Sequence, residues 1–138
     1  MQCPKCSSEA PDFNTHEGVI VNFCNDCHGL WFDQGELAFY CETERDVPDI
    51  DALIPMAQST PYACPRCPDT LLAELPYMAG EALLIDWCAS CHGAWLDARE
   101  IIKVEELATR YEPHTARLLR GIKQLEDAGY VVIQVKTA

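Results

Sequence analysis

Apolar positions in this chain come in short blocks set between turn-forming residues. Val19-Ile20-Val21-Asn22-Phe23 is a β-branched and aromatic run, with Glu17-Gly18 ahead of it as a turn. Leu71 to Tyr77 and Ala82 to Trp87 flank Ala79-Gly80-Glu81, which predicts a hairpin. The period then lengthens. A helix is expected from about Ala98 to Arg110, interrupted at Pro113, and a second runs to about Ala128 with Gly129 as its stop. On the second, Leu118, Ile122 and Leu125 share one face. Tyr130 to Val135 reads as a terminal strand.

Both β-runs lead into cysteine pairs, and the pairs repeat. Cys3-Pro4-Lys5-Cys6 is followed after 17 residues by Cys24-Asn25-Asp26-Cys27. Cys64-Pro65-Arg66-Cys67 is followed after 20 residues by Cys88-Ala89-Ser90-Cys91. Both spacings fit a four-cysteine zinc site. The likeness extends further: Cys27-His28-Gly29-Leu30-Trp31-Phe32-Asp33 stands beside Cys91-His92-Gly93-Ala94-Trp95-Leu96-Asp97. Each copy reads as knuckle, hairpin, knuckle, short strand, helix. Asp33 with Glu36, and Asp97 with Glu100, have the spacing of a capping box, with the aspartates expected as helix N-caps.

Residues 42–61 join the copies. Glu42, Glu44, Asp46, Asp49 and Asp51, then Pro48, Pro55 and Pro61, make this an acidic, mostly extended linker whose charges are expected in solvent. The whole chain, at 138 residues, is one compact domain or two very small ones. No apolar run is long enough to span a bilayer. The N-terminus does not resemble a secretory signal. A cytoplasmic, reducing setting is therefore expected, in which nine cysteines mean metal or redox chemistry rather than disulfides. Lys plus Arg is 10 and Asp plus Glu is 22, a formal charge of −12. Such a surface is wrong for a general nucleic-acid binder, whose affinity comes from neutralised phosphates. The exception would be the C-terminal segment, where Arg117, Arg120 and Lys123 lie close together.

The paired cysteines Cys3, Cys6, Cys24 and Cys27, with Cys64, Cys67, Cys88 and Cys91, are the expected metal ligands. Two tight Cys-x2-Cys turns aim four sulfurs at one point, and a closed tetrathiolate shell leaves no position for substrate water. Each copy is too short to bury an adequate core, so metal should supply its folding energy, roughly 10–16 kcal/mol in small zinc peptides. Two such sites would deepen the net charge to about −16. Cys41, the unpaired cysteine, is expected as a small buried apolar residue. His28 and His92 adjoin ligands, but four sulfurs already fill the shell. They are expected at left-handed backbone positions beside the site, with metal ligation, proton transfer or partner contact as other readings. Trp31 and Trp95 are expected to pack over their own copies, or else to form an exposed recognition platform.

The run Cys-x2-Cys-His-Gly-x-Trp-[Phe/Leu]-Asp-x-x-Glu-[Leu/Ile] resembles a bacterial and archaeal zinc-ribbon family. That family is named for its likeness to the zinc finger of transcription factor IIB. Its signature is a Cys-Pro-x-Cys knuckle, then Cys-x2-Cys-Gly-Gly-x-Trp-Leu-Asp-x-Gly-Glu-Leu. Here His28 and His92 replace its first glycine, and Ala98-Arg99-Glu100-Ile101 lacks the glycine at the helix start. The resemblance implies a small metal-bound α+β fold. It covers a first zinc ribbon with a short helix (1–41) and a second ribbon with the start of its helix (62–105). The acidic linker (42–61) and the C-terminal helix and strand (106–138) lie outside it and are read from the residue pattern alone. The resemblance implies zinc at both cysteine quartets, two ions per chain.

The chain shows no nucleophile–base arrangement, no phosphate loop and no open metal site, so the leading expectation is a non-enzymatic adaptor for a protein partner. It would be an accessory to a larger complex such as the transcription machinery. Two alternatives stand beside it. Four cysteines can hold a single iron for electron transfer, as in rubredoxin-like proteins, and zinc ribbons can bind nucleic acid.

Overall fold

The computed structural model describes the backbone of residues 1–111 and 114–130. Its strands are β1 (Asp12–Asn14), β2 (Ile20–Phe23), β3 (Leu30–Phe32), β4 (Gln58–Ala63), β5 (Leu71–Pro76), β6 (Leu84–Trp87) and β7 (Ala94–Leu96). The helices are α1 (Glu36–Cys41), α2 (Ile50–Leu53), α3 (Glu100–Tyr111) and α4 (His114–Asp127). The expected hairpins form as β1–β2 and β5–β6, and Gly18 and Gly80 take the positive φ angles, 81° and 80°, that their turns require. Helices α3 and α4 fall where the sequence puts them, and the second stops at Gly129, with φ 95°. Pro113, the expected interruption, lies outside the described residues, as do residues 131–135 of the expected terminal strand.

The two copies are not separate lobes. All seven strands form one antiparallel sheet in the order β1-β2-β3-β7-β6-β5-β4. The join is β3 against β7, with Leu30 opposite Leu96, Trp31 opposite Trp95, and Phe32 opposite Ala94. The repeat motifs therefore meet head to tail about a pseudo-twofold axis through the tryptophan pair. Strand β4 has no counterpart in the first copy and adds an outer edge.

Strand alternation sends consecutive residues to opposite faces, and each face builds its own core. On one side, Val21, Phe32, Leu75, Ile85 and Leu96 of the sheet pack with Leu37 and Cys41 of α1 and Val104, Leu107 and Ala108 of α3. Cys41 is buried there, as expected. On the other side, Trp31 and Trp95 pack with Ala10, Leu72, Cys3, Cys24, Cys64 and Cys88.

The exposed-platform reading of the tryptophans is corrected by this arrangement, and packing over their own copies is only part of what they do. Neither is exposed, and each crosses to the other copy. A Cβ built on Gly29 would lie 2.1 Å from the Trp95 ring, and one on Gly93 would lie 2.2 Å from the Trp31 ring. The glycine of each Gly-x-Trp is the seat for the opposite indole. At about 200 Å² per buried tryptophan and ~25 cal/mol/Å², burying each indole is worth about 5 kcal/mol, shared between its own copy and the other.

The extended linker is corrected too. Residues 47–56 hold α2 and a 3₁₀ turn (Ile54–Met56), with Val47 and Leu53 buried in the helix-side core. Several of its acids are anchored rather than merely solvated. Asp46 accepts from the backbone of Gly35 (2.7 Å) and Ala38 (2.8 Å), and so caps α1. Asp49 accepts from the backbone of Ala79 at 3.0 Å, tying the linker to the β5–β6 turn.

The capping boxes are half realised. Glu36 and Glu100 reach back to the backbone N–H of Asp33 and Asp97, each at 2.7 Å. The aspartate side chains do not cap. They accept from the indole N–H of Trp31 (2.8 Å) and Trp95 (2.9 Å) instead.

Gly29→Ala is expected to destabilise the fold by about 3 kcal/mol or more, because the indole it meets is held from every side. Denaturant unfolding of the zinc-loaded protein, followed by tryptophan fluorescence, measures this. A loss below about 1 kcal/mol, or the gain of about 0.4–1 kcal/mol usual for an unhindered glycine-to-alanine change, would remove the interlock.

Candidate metal centres

Within each copy two hydrogen-bonded turns present the cysteines. His28 donates its backbone N–H to Cys24 O (2.9 Å) and Cys24 donates to Gly29 O (3.0 Å); His92, Cys88 and Gly93 do the same at 2.8 and 2.9 Å. This tight return requires left-handed backbone at the residue after each second cysteine pair. His28 (φ 64°) and His92 (φ 60°) supply it. Their imidazoles lie flat against neighbours, His28 on Phe23 (5.6 Å between centroids) and His92 on Trp87 (5.0 Å).

Among the described residues, two groups bring metal-binding atoms together: Cys3, Cys6, Cys24 and Cys27, and Cys64, Cys67, Cys88 and Cys91. In each, the four sulfurs lie within 4.8 Å of one another. Cys3 and Cys27 Sγ are 3.6 Å apart, Cys6 and Cys24 3.3 Å, and Cys64 and Cys91 3.6 Å. A tetrahedron with metal–sulfur bonds of ~2.3 Å has edges of about 3.8 Å, so the donor set fits a zinc ion. Backbone N–H groups aim at the sulfurs equivalently in both copies. Lys5 N meets Cys3 Sγ and Arg66 N meets Cys64 Sγ at 3.4 Å; Cys27 N meets Cys24 Sγ and Cys91 N meets Cys88 Sγ at 3.5 Å. Such donors spread the negative charge that four thiolates leave on a divalent ion.

Without an ion the quartets hold protons unevenly. Burial pushes Cys3 up to about 12 and raises Cys27, Cys64 and Cys91. Ser8, through its backbone N–H and then its hydroxyl, brings Cys6 down to about 6. Burial opposes ionisation of Cys88, but the N–H groups of Cys91 and Ser90 outweigh it. A metal ion must displace the retained protons, so binding releases them and weakens as pH falls.

Five residues that the sequence pattern does not single out, Lys5, Asn22, Tyr62, Arg66 and Asp86, tie the centres together. Lys5, inside the first knuckle, reaches the second copy. Its Nζ is 3.0 Å from Asp86 Oδ2 and 3.8 Å from Asp97, and lies 4.2 Å from the centre of the Tyr62 ring. Arg66, at the same place in the second knuckle, reaches back to Asp33 (3.1 and 3.3 Å) and Asn22 (3.0 Å). The signal was present in the sequence: the variable position of Cys-Pro-x-Cys is basic in both copies. The basic trio of the C-terminal segment is described through Lys123, which pairs with Asp127 at 3.5 Å in solvent.

Glu100, at the start of α3, sits beside this network. Burial raises its carboxyl, the Asp97 N–H lowers it, and the Asp97 and Asp86 carboxylates raise it further, to about 7.

Residues 2–43 match the family model described as a transcription factor zinc-finger, the TFIIB-type zinc ribbon. The second quartet, over 64–91, repeats the ligand spacing and geometry of the first, so the chain carries two such centres and two zinc ions. No curated protein and no solved structure matches the chain. No helix among the described residues is long and apolar enough to cross a membrane.

Chelation of zinc is expected to unfold the sheet cooperatively. Because β3 and β7 share one ladder, Cys24→Ser should also loosen the second copy. Metal analysis and circular dichroism read both. Full retention of the melting transition after verified metal removal would refute the structural role of the ions.

The raised Glu100 carboxyl gives a second expectation. Its charged form is disfavoured in the folded protein, so its contribution is nil below the unfolded value of 4.5, grows unfavourable as pH rises above that value, and is complete above about 7. Glu100→Gln keeps the acceptor for Asp97 N–H and removes the charge. Its melting temperature, with zinc saturating, should exceed the parent's at pH 8 and by clearly less at pH 5.5. A pH-independent difference would contradict this assignment.

Proposed function

We propose that the protein is a non-enzymatic interaction or adaptor module. Its two zinc ions hold its shape, and it serves as an accessory to a larger assembly such as the transcription machinery. One observation carries the reading: in both centres all four tetrahedral positions are filled by cysteine sulfurs of the chain itself. A zinc ion so enclosed has no open position at which to activate water or polarise a substrate. The family description, transcription factor zinc-finger, is what suggests the setting.

Charge favours protein over nucleic acid as the partner. Of the 22 acidic residues, 16 lie in residues 1–98, against 3 of the 10 basic ones. Of those 3, Lys5 and Arg66 are engaged in carboxylate pairs between the copies and Arg45 pairs with Asp51. Little free positive charge remains on the ribbons to replace counterions on a phosphate backbone.

Zinc-saturated full-length protein, used as bait in native lysate, is expected to retain a specific protein partner that metal-free bait does not. DNA and RNA probes should not bind at physiological ionic strength. Salt-sensitive nucleic-acid binding without a protein partner would replace this reading with the nucleic-acid one. Iron in place of zinc in the purified protein would replace it with electron transfer.

A further inference from the structure

The pseudo-twofold gives each half of the helix-side face a counterpart in the other half. Phe13 lies opposite Val21, and Leu75 lies opposite Ile85. Val21 and Ile85 each stand three residues ahead of a ligand cysteine, so Phe13 and Leu75 hold equivalent positions. Phe23 and Trp87, each stacked with an imidazole, are equivalent in the same way. Their surroundings differ. Leu75 is fully buried and Trp87 is buried, whereas Phe13 is 52% exposed and Phe23 is half-buried.

The difference follows from what comes after each motif helix. After α1, the linker folds over the second copy. Val47 and Ile50 stand with Trp87 and His92 around one hollow, Val47 and Leu53 enter the core, and Asp49 holds the β5–β6 turn at Ala79. The equivalent place over the first copy is a hollow of about 140 Å³. Its described lining, which includes Phe13, Val21, Leu30, Phe32 and Tyr40, comes from the first copy alone. In chain order α4 is the segment that corresponds to the linker, and its apolar positions also lack cover. Ile122 and Leu125, three apart, share a helix face; Leu125 is 48% exposed, and residues 123–130 are exposed throughout. Helix α3 has 12 residues against 6 in α1. It therefore carries the chain about 9 Å farther before α4 begins, away from the hollow that symmetry assigns to it.

We propose that two copies of the chain exchange α4, each laying its Ile122–Leu125 face on the Phe13 hollow of the other in an isologous dimer. The inference stands apart from the interaction-module reading. Two unmet apolar surfaces on one chain satisfy each other when the chain pairs with itself, and twofold symmetry makes the contact twice. Charge complementarity favours a second copy as the occupant. Glu17 lines the hollow and Asp12 is exposed beside Phe13, within a region of 16 acids and 3 cations over residues 1–98. In sequence, α4 carries Arg117, Arg120 and Lys123 ahead of its first acid, Glu126.

Sedimentation equilibrium of the zinc-saturated full chain, from about 1 µM to about 1 mM, is expected to show a monomer–dimer equilibrium. Phe13→Ser and Leu125→Ser should each weaken dimerisation by about tenfold or more. Ile20→Ser removes a similarly exposed apolar side chain from the opposite face of the same hairpin and should change it less than about twofold. Circular dichroism checks that the variants stay folded. In a mixture of isotope-labelled and unlabelled parent chains, filtered NOEs should join the Phe13 ring of one chain to the Leu125 methyls of the other. This measurement needs no variant. A monomer over the whole range, a dimer that tolerates either Phe13→Ser or Leu125→Ser, equal weakening by all three substitutions, or no Phe13–Leu125 NOE between chains would each overturn the proposal.

Discussion

The structure depends on a reciprocal lock: Trp31 lies on Gly93, and Trp95 lies on Gly29. Each copy leaves a bare glycine where the other's indole lies. The lock places β3 against β7 and makes one seven-stranded sheet out of two hairpins. Once that sheet exists, its faces divide the labour. One collects the helices around aliphatic side chains, and the other collects the cysteine quartets around the tryptophan pair. Metal binding and hydrophobic burial are thereby coupled, since the indoles pack against the ligand cysteines themselves.

Electrostatics repeats the same reciprocity. The knuckle cation of each copy bonds to the other copy, Lys5 to Asp86 and Asp97, Arg66 to Asn22 and Asp33. The Lys5–Asp86 pair is buried. Such a pair adds little net stability over an apolar substitute, but breaking it is expensive because a buried charge is left behind. The Arg66–Asp33 pair is exposed and is worth little by itself. The effect of both is therefore on register: these contacts are satisfied in one alignment of the two ribbons.

Two closed tetrathiolate centres in one continuous sheet make a stiff object whose zinc is committed to shape. The ribbon surface that remains exposed is acidic. This is the physical basis for reading the protein as a scaffold for contacts rather than as a catalyst.

Much of this was legible in the chain. The cysteine spacing gave both quartets, because ligation by paired turns is a local property of four-residue segments. The left-handed positions of His28 and His92, the hairpin glycines and the stop at Gly129 were legible for the same reason. What tertiary structure alone decided concerns partners distant in sequence. A capping box at Asp33 describes its neighbours well, but an indole N–H and the Arg66 guanidinium compete for the same carboxylate and win it. Residues 42–61 look like a solvated spacer because the partners of Asp46 and Asp49, the backbone of Gly35, Ala38 and Ala79, arrive only on folding. A duplicated motif announces two like units without saying that they complete each other. That follows only when the glycine of one copy and the tryptophan of the other, far apart along the chain, are brought within van der Waals reach.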